Sequence, residues 1–501
     1  MKIIIACMLL LSLCVGLFGC AQTPENPTLP STSEPVESVP VTSEPPFVVD
    51  PSVPEHFFAV TMPSLYSDGM CLQRDKELHI QGKSTSEYVA VELCGKMYYG
   101  ATTDGKFSVV IPPQEAGGPY TMTLYTPTYK KVIKNVYIGE VFLCSGQSNM
   151  EMLMSECGEV HAQDIADANN DQIRIMGLPR QESATPQQYL QGAVWYGANP
   201  VSVAAFSGVA YLFAREMHEA LGVPVGVINA SWGGTIAAFW MPNETFETLS
   251  AEIEIVTDDN TWTSANLGYN GMIAPMTHYT FRGVVWYQGC SNANHTSVTY
   301  DRELEALIRS WREAFRDDTL AFTIIELPRY MDATYWPILR NMQKKVADGD
   351  PLACMSVSID LGEYWDIHPK DKSLFAKRAA EQTLALLFDF EEPVYPTVKT
   401  VERIHDNQVK ITFDGVGDGL VVKNNGNGFE VSENGSSYSL ITEIEWDGNS
   451  VTLTSAKPIR FLRYGYRISY PNVAYQEDVT LQLSVWNSYG NPLDQFEIKV
   501  D

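Results

Sequence analysis

The chain has 501 residues, more than a single hydrophobic core normally holds, so we expect two or three domains. Its 45% hydrophobic and 19% charged residues are typical of a globular protein and exclude wholesale disorder. The 61 acidic and 34 basic residues give a net charge of −27 without any run of Lys and Arg. Nucleic acids and anionic membrane surfaces are therefore excluded as partners, because both require a basic face. A highly anionic polymer also fits poorly as a substrate.

The first 20 residues have the pattern of a secretory signal. Lys2 supplies a positive start, residues 3–18 are continuously apolar, and the stretch is too short to span a bilayer. Its ending LFGC (17–20) resembles the lipobox of bacterial lipoproteins, which implies that Cys20 carries a lipid anchor. An ordinary cleaved signal peptide is the alternative.

Residues 21–55 are predicted to be an extended linker, because they are rich in Pro, Ser, Thr and Glu and have little to bury. Export would permit disulfides, yet the cysteines after Cys20 are scattered and lack CxxC spacing. We therefore expect buried thiols and neither a disulfide framework nor a metal site. These cysteines are Cys71, Cys94, Cys144, Cys157, Cys290 and Cys354.

Three domains are predicted after the linker. Residues 56–136 alternate apolar and polar positions between Gly and Pro turns, which indicates an N-terminal β-sandwich. Residues 137–392 alternate apolar runs with amphipathic helical stretches, which is typical of an α/β domain with a mostly parallel sheet. Residues 393–501 return to short strands and predict a C-terminal β-domain.

Four predicted strand ends in the α/β domain carry unusual polar residues. They are GQSN (146–149), NASWGGT (229–235), YQGCSN (287–292) and DIHPKD (366–371). Reactive groups of parallel sheets gather beyond the carboxyl ends of the strands. Each motif alone is more typical of a turn, and it is their coincidence that predicts an active site.

An ester hydrolase needs a nucleophile, a base, a group that orients the base, and donors for the oxyanion. Ser148 follows a buried strand on a tight turn and is the candidate nucleophile. His368 lies two residues from Asp366, which could hold one ring nitrogen and leave the other for Ser148. Of the other histidines, only His295 is a plausible neighbour of the site.

Candidate donors for an oxyanion occur in two of the motifs. Gly233 and Gly234 allow a backbone N–H to approach a substrate oxygen, because no Cβ intervenes. Gln288 and Asn292 offer side-chain amides for the same role. Three tryptophans near the motifs could stack on sugar rings, although packing in the core is the more common role. These are Trp232, Trp240 and Trp286.

The α/β region resembles the sialate O-acetylesterase (SASA) family of SGNH/GDSL-type serine esterases. The resemblance depends on GEVFLCSGQSNM (139–150), NASWGGT (229–235), YNGMIAP (269–275), WYQGCSNA (286–293) and DIHPKDK (366–372). It extends upstream to PSLYSDGMCLQRD (63–75), which looks like the start of the β-domain that precedes the catalytic domain in these enzymes. The implied fold is an SGNH-hydrolase, flavodoxin-like parallel sheet flanked by β-sandwich domains.

The resemblance implies Ser148 as nucleophile and His368 as base, with Asp366 orienting His368. Asp360 and Glu363 remain alternatives for the orienting acid. The implied oxyanion hole consists of the backbone N–H groups of Ser148 and Gly234 with the amide of Gln288, and Asn292 is the alternative amide donor. The remaining motif residues are expected to contact the substrate. They are Gln147, Asn149, Trp232, Gly233 and Gly289.

One position departs from the family pattern: the family usually has Glu where this chain has Cys290, which would weaken the site or change its substrate preference. The resulting prediction is an exported esterase that deacetylates carbohydrate, with no metal or organic cofactor. Sialic acid is the sugar in the family name, and acetylated xylan or mannan is the alternative substrate. A glycan-binding lipoprotein without catalysis and a lipase or thioesterase on the same fold are the alternative functions.

Overall fold

The computed structural model describes residues 45–56, 60–190, 192–257, 264–331, 334–363, 365–423, 426–441, 443–466 and 485–501. The predicted signal peptide, its Cys20 and residues 21–44 of the predicted linker lie outside these ranges. Pro46–Asp501 form one compact unit. Within the described ranges, no helix is both long enough and apolar enough to cross a membrane.

The region before the central sheet consists of short strands, as the sequence predicted. In β5, Phe107, Val109 and Ile111 are buried and the residues between them are exposed, so one face of the strand is in the core. An antiparallel path runs in the order β2-β5-β4-β3-β6, and β6 then pairs with β7. The strands are β1 (Cys71–Gln73), β2 (Leu78–Lys83), β3 (Tyr88–Leu93), β4 (Lys96–Thr103), β5 (Lys106–Ile111), β6 (Gly117–Tyr125) and β7 (Lys130–Gly146).

Strand β7 belongs to two regions at once. Its first half pairs antiparallel with β6, and its second half is the centre of the parallel sheet. The domain boundary predicted between residues 136 and 137 therefore falls inside one continuous strand of 17 residues. Glu140, which is fully buried in this strand, accepts hydrogen bonds from Arg74 at 2.5 Å and Arg282 at 2.8 Å, which ties the N-terminal region to the central sheet.

The central sheet has the order β9-β8-β10-β7-β11-β12-β13. All neighbours are parallel except β9, which pairs antiparallel with β8. Every residue of β10, β11 and β12 is buried, as expected for strands that are covered on both faces. The strands that join β7 here are β8 (Asn170–Gly177), β9 (Tyr196–Ala198), β10 (Val225–Ser231), β11 (Gly283–Tyr287), β12 (Ala321–Ile325) and β13 (Ala353–Ser356).

The helices follow the strand ends and cover this sheet. Helices α4 and α8 pack against each other, with α4 on β10 and α8 on β13, while α7 packs on α6 and β13. The helices are α1 (Ser148–Glu151), α2 (Ala162–Asp167), α3 (Pro200–Ala204), α4 (Gly208–Leu221), α5 (Asn243–Ser250), α6 (Tyr300–Phe315), α7 (Trp336–Gly349) and α8 (Ser373–Phe388).

The C-terminal region forms antiparallel sheets in the orders β14-β15-β20-β19, β18-β17-β21-β23 and β16-β22. Fully buried Arg340 of α7 ties this region to the α/β region by donating to Gln495 at 2.7 Å and to the Gly465 carbonyl at 2.8 Å. The strands are β14 (Thr397–His405), β15 (Gln408–Asp414), β16 (Leu420–Val422), β17 (Phe429–Ser432), β18 (Ser439–Leu440), β19 (Glu443–Asp447), β20 (Ser450–Thr454), β21 (Phe461–Tyr464), β22 (Val485–Asn487) and β23 (Phe496–Lys499).

The predicted fold class is confirmed: a mostly parallel sheet with helices has β-rich regions before and after it in the chain. The cysteines among the described residues are all free thiols, as predicted. Cys71, Cys144 and Cys157 are buried, whereas Cys94 is exposed. The predicted boundary between residues 392 and 393 falls in the stretch between α8 and β14.

Candidate active site

The nucleophile candidate lies at an abrupt strand-to-helix turn. Strand β7 ends at Gly146 and α1 begins at Ser148. Gly146 has φ +137°, and a Cβ there would lie 2.2 Å from the Tyr287 carbonyl oxygen, so only glycine lets β7 approach β11 this closely. The Gln147 amide donates to the same carbonyl at 3.1 Å. This turn fixes where Ser148 leaves the sheet.

Ser148 and His368, far apart in the sequence, line one open cleft of about 550 Å³. Both side chains are half-buried, and no hydrogen bond joins them among the described residues. In unliganded hydrolases the catalytic hydrogen bonds are often long or poorly aligned, and they tighten only when substrate binds. The cleft is lined by Ser148, Glu151, Met152, Leu153, Glu156, Arg180, His368 and Lys370.

His368 is held on a turn by Asp366. The Asp366 carboxylate accepts the His368 backbone N–H at 2.8 Å, and the same oxygen lies 3.8 Å from the ring Nδ1. Burial lowers the pKa of His368 below its usual range, and the Asp366 charge opposes this shift. A neutral imidazole at neutral pH is the form that can accept a proton.

The two alternative acids have other partners. Asp360 receives a bidentate ion pair from Arg378 at 2.6 and 2.9 Å and a hydrogen bond from the Trp486 indole at 3.0 Å. It therefore fastens the C-terminal region and is not the acid beside the histidine. The Glu363 carboxylate accepts the Lys370 backbone N–H at 3.3 Å. Of the three carboxylates, Asp366 is the one next to the His368 ring.

The turn after β10 lies against Ser148. A Cβ at Gly233 would come within 3.3 Å of the Ser148 Cβ, and the Gly233 amide donates to Glu151 at 2.8 Å. Gly234 follows with φ +83°, a conformation that favours glycine. Among the described residues, the backbone N–H groups of Ser148 and Gly234 have no acceptor. Unpaired backbone N–H groups are the donors that an oxyanion hole requires, and Gly234 directly follows Gly233, which lies against Ser148.

Gln288 and Asn292 lie beneath the cleft, and the structure argues against the predicted role of either amide as an oxyanion donor. Gln288 is 0% exposed, and its Nε2 lies 3.0 Å from the Thr235 carbonyl and 2.8 Å from Asn292 Oδ1. Asn292 is also buried, and its Nδ2 donates to Glu303 at 3.1 Å. Both amides are buried and already donate to protein acceptors, so neither has a free N–H for a substrate oxygen.

Glu303 closes this buried network. It is 1% exposed, and burial raises its pKa to about 8, against the opposing effect of the hydrogen bond from Asn292. Gln288 Oε1 in turn accepts from the Tyr300 hydroxyl at 2.7 Å. The network holds the 288–292 turn in place from below.

Three residues predicted to contact substrate are scaffold residues in the structure. Gln147 is buried, and its Oε1 accepts the Gly289 and Ser291 amides at 3.1 and 3.3 Å. Gly289, with φ +147°, is buried against Leu327 and Leu339. Asn149 is 1% exposed and bonds to the Ile367 carbonyl. None of the three predicted contacts lines the cleft.

Of the three tryptophans and His295, two tryptophans lie in the core, and Trp232 and His295 lie nearer the surface. Trp232 is half-buried, with the Arg180 guanidinium 5.5 Å from its ring centre, so it lies at the rim of the site. Trp240 and Trp286 are fully buried and belong to the core. His295 is exposed and pairs with Glu254 at 3.1 Å.

The sequence reasoning missed two features of the site. The Glu151 carboxylate forms a bidentate ion pair with Arg180 at 2.5 and 2.7 Å, in addition to its bond with Gly233. Arg180 follows β8 in a stretch without a recognisable motif, so no sequence signal pointed to it. Buried Lys372, whose ammonium donates to Asn149 at 2.7 Å, was visible as the last residue of the DIHPKDK motif but was given no role.

Comparison with known proteins points to one family. Residues 138–382 match the family model described as "Carbohydrate esterase, sialic acid-specific acetylesterase" (SASA). The sialate O-acetylesterase of Homo sapiens is 26% identical over 348 residues, which covers 61% of this chain and 65% of the relative. That of Mus musculus is 27% identical over 371 residues and covers 61% and 68%. The chain thus spans about 65% of the length of the human relative.

A solved structure has the same fold. The carbohydrate acetylesterase from Xanthomonas citri superposes with a TM-score of 0.78 at 28% identity, covering 88% of this chain and all of the other. The matched residues 138–382 contain each of the four strand ends that meet around Ser148. With these relatives, the match places residues 138–382 in the sialic acid-specific acetylesterase (SASA) family of carbohydrate esterases.

Proposed function

We propose that this protein removes O-acetyl groups from carbohydrate as a serine esterase. The single observation that carries the proposal is the cleft that Ser148 and His368 line together. Among the described residues, the backbone N–H groups of Ser148 and of nearby Gly234 have no acceptor. The family match of residues 138–382 and the relatives named as acetylesterases support the proposal. No step requires a metal or organic cofactor.

The reaction is a double displacement at the acetyl carbonyl. Neutral His368 takes the proton of the Ser148 hydroxyl while Oγ attacks the acetyl carbon. The N–H groups of Ser148 and Gly234 stabilise the oxyanion, and protonated His368 returns the proton to the departing sugar oxygen. Water, deprotonated by His368, then hydrolyses the acetyl-Ser148 ester, so that one ester and one water give acetate and a free sugar hydroxyl.

The test is acetate release by the purified protein from an acetylated sugar, compared with Ser148→Ala. We expect release by the parent protein and its loss in Ser148→Ala, with a mass increase of one acetyl group on Ser148 in rapidly quenched samples. Equal rates in both proteins would reject Ser148 as the nucleophile. No turnover by the parent protein on any acetylated sugar would favour the glycan-binding alternative.

An acetylated neutral glycan such as xylan or mannan is the second candidate substrate, and the charges in the cleft favour it. Arg180 is paired with Glu151, and Lys370 lies 3.9 Å from Asp366, so each cation that lines the cleft has a carboxylate close by. A sialic acid carboxylate would have to compete with these carboxylates. Acetate release from acetylated sialosides, xylan and mannan, compared at equal acetyl concentration, decides between the two.

We further propose that the protein is exported and anchored by lipid on Cys20. The support is the signal pattern of residues 1–20 and its LFGC ending. The test is expression of the full chain in a bacterium, with fractionation of the parent protein and Cys20→Ser. Membrane association that depends on Cys20 supports the anchor, and a parent protein found wholly in the soluble fraction contradicts it.

A further inference from the structure

A single buried amide connects the serine turn to the histidine loop. Asn149, the residue after Ser148, is 1% exposed. Its Nδ2 donates to the carbonyl of Ile367 at 2.9 Å, and Ile367 directly precedes His368. Its Oδ1 accepts from the Lys372 ammonium at 2.7 Å. The amide therefore contacts the histidine loop on both sides of His368.

Lys372 is a buried cation without an ion-pair partner. It is 0% exposed, and no carboxylate of the described residues lies within 4.0 Å of its Nζ. The rings of Tyr287 and Phe375 lie 5.7 and 5.5 Å away, and its backbone N–H donates to His161 Nε2 at 3.0 Å. Burial lowers the pKa of Lys372 to about 8, against the opposing effects of Cys157 and Cys290.

An aliphatic side chain would fill the same space without the penalty of burying a charge. Unlike an aliphatic side chain, Lys372 donates a hydrogen bond, and Asn149 Oδ1 accepts it. An amide has two distinct ends, and a donor at one end fixes the direction of the other. With Oδ1 held by Lys372, the NH₂ group of Asn149 points at the Ile367 carbonyl, and the histidine loop keeps its place beside Ser148.

We propose that Asn149 and Lys372 are positioning residues that hold His368 at its working distance from Ser148. The inference depends on the proposed esterase function, because it assigns the two residues to the geometry of that catalytic pair. Displacement of a catalytic group by about 1 Å lowers turnover by about 10²-fold, so the loss of this link affects kcat more than KM.

Lys372 also acts on His368 through its charge. The groups that act on the His368 ring are Asp366 and Glu156, which raise its pKa, and Lys370 and Lys372, which lower it. Removal of the Lys372 charge therefore raises the pKa of His368 and moves the acidic limb of the kcat/KM profile to higher pH. A residue that only filled space would leave that limb unchanged.

The experiment compares two substitutions of Lys372. Lys372→Met removes both the hydrogen-bond donor and the charge, whereas Lys372→Gln removes the charge but supplies an amide NH₂ group as donor. The matched control is Lys377→Met at an exposed position of α8, the helix that begins directly after Lys372. For Lys372→Met we expect kcat to fall 10- to 100-fold with KM changed less than about twofold. We expect Lys372→Gln to recover most of kcat while both Lys372 variants shift the acidic limb.

Several outcomes would overturn the proposal: parental kcat in Lys372→Met, an equal loss in Lys377→Met, or no recovery in Lys372→Gln. If Lys372→Met does not fold, the double variant Asn149→Leu/Lys372→Met replaces both partners by apolar groups of similar shape. A folded double variant with low kcat supports the proposal, and parental kcat contradicts it. Activity that survives Ser148→Ala would instead reject the esterase mechanism itself.

Discussion

Glu151 offers the sharpest test of how the oxyanion donors are positioned. Its carboxylate accepts the Gly233 amide at 2.8 Å and the Arg180 guanidinium at 2.5 and 2.7 Å. Glu151→Gln keeps the shape but leaves one acceptor oxygen, so the amide can serve either Gly233 or Arg180, while its NH₂ group faces the other donor. Gly234, whose N–H is the proposed oxyanion donor, is the residue after Gly233 in the chain.

The magnitude follows from what the substitution removes. Hydrogen bonds to charged groups contribute about 1.5–3 kcal/mol, and a neutral acceptor retains about half of that, so the Gly233 bond loses about 1 kcal/mol. The ion pair with Arg180 adds at most about 0.5 kcal/mol, because Arg180 is 54% exposed and its charge is screened. We expect the free energy of unfolding to fall by about 1–1.5 kcal/mol.

The effect on catalysis should be larger than this loss of stability suggests. Loss of a whole oxyanion donor lowers kcat by about 10²–10³-fold. A donor that is only displaced keeps part of its stabilisation of the oxyanion, so we expect kcat to fall about tenfold. The assay is steady-state acetate release combined with thermal unfolding. The control Glu159→Gln makes the same change at an exposed position of the neighbouring turn, and Arg180→Met removes the ion pair while leaving the Gly233 bond.

Glu151→Gln with parental kcat would refute the reasoning that Glu151 positions the turn after β10. A loss equal to that of Arg180→Met would refute it in a different way, because the ion pair and not the Gly233 bond would then be the cause. The expected order is Glu151→Gln well below Arg180→Met, with Glu159→Gln at the parental rate.

Three further outcomes follow from the charges around the site. Asp366→Asn should lower kcat at least about tenfold and move the acidic limb of kcat/KM to lower pH, because the carboxylate raises the pKa of His368. Asp360→Asn should leave the turnover of folded protein unchanged and lower the free energy of unfolding by about 3–5 kcal/mol, measured by thermal unfolding, because it breaks a buried ion pair. The pKa of Lys372 is about 8 in the fold against 10.5 ordinarily, so the unfolded chain binds more protons between these values and stability rises with pH there. Cys290→Glu places a carboxylate near Lys372 and should raise the pKa of Lys372, so the free energy of unfolding should increase less between pH 8 and pH 10. Urea denaturation at the two pH values measures this difference, and the control Cys290→Ser should leave it unchanged.

The elements that the sequence predicted best are the central strands, which are buried on both faces. The strand Val225–Ser231 is buried throughout because both of its faces are covered, and the apolar run with which it starts, VGVI (225–228), is visible without any partner. The extent of β7 could not be predicted, since it leaves an antiparallel sheet and enters a parallel one within one continuous strand. Whether a strand changes neighbours depends on tertiary pairing.

The roles of individual polar residues were predictable only where the motif itself carried the chemistry. Ser148 and His368 do lie in one cleft, as their motifs predicted. Whether the Gln288 amide faces substrate or the core depends on Asn292 of the same turn and on Thr235, which is distant in sequence and lies on another turn. The choice between Asp360 and Asp366 depends on Arg378 of α8, which captures Asp360. The spacing of residues within a motif does not predict which distant residue a polar side chain will bind.

The polar residues on either side of Ser148 bind the loops that follow the other strands. Gln147 holds the turn after β11 through Gly289, and Glu151 holds the turn after β10 through Gly233. Asn149 holds the histidine loop through the Ile367 carbonyl. Three polar residues flanking the nucleophile thus each bind one of the other three strand ends, and this explains why so short a segment is so polar at the edge of a buried sheet.

This arrangement has a consequence for specificity. Because the polar atoms of Gln147 and Asn149 are committed to the scaffold, they are not available to recognise a sugar. Recognition must come from side chains that line the cleft or its rim, such as Arg180, Lys370 and Trp232. Substitutions at Gln147 and Asn149 should therefore lower kcat for every acetylated sugar by a similar factor, whereas substitutions at the rim should change the ratio between sugars. A change of sugar preference in Asn149→Leu would contradict this division.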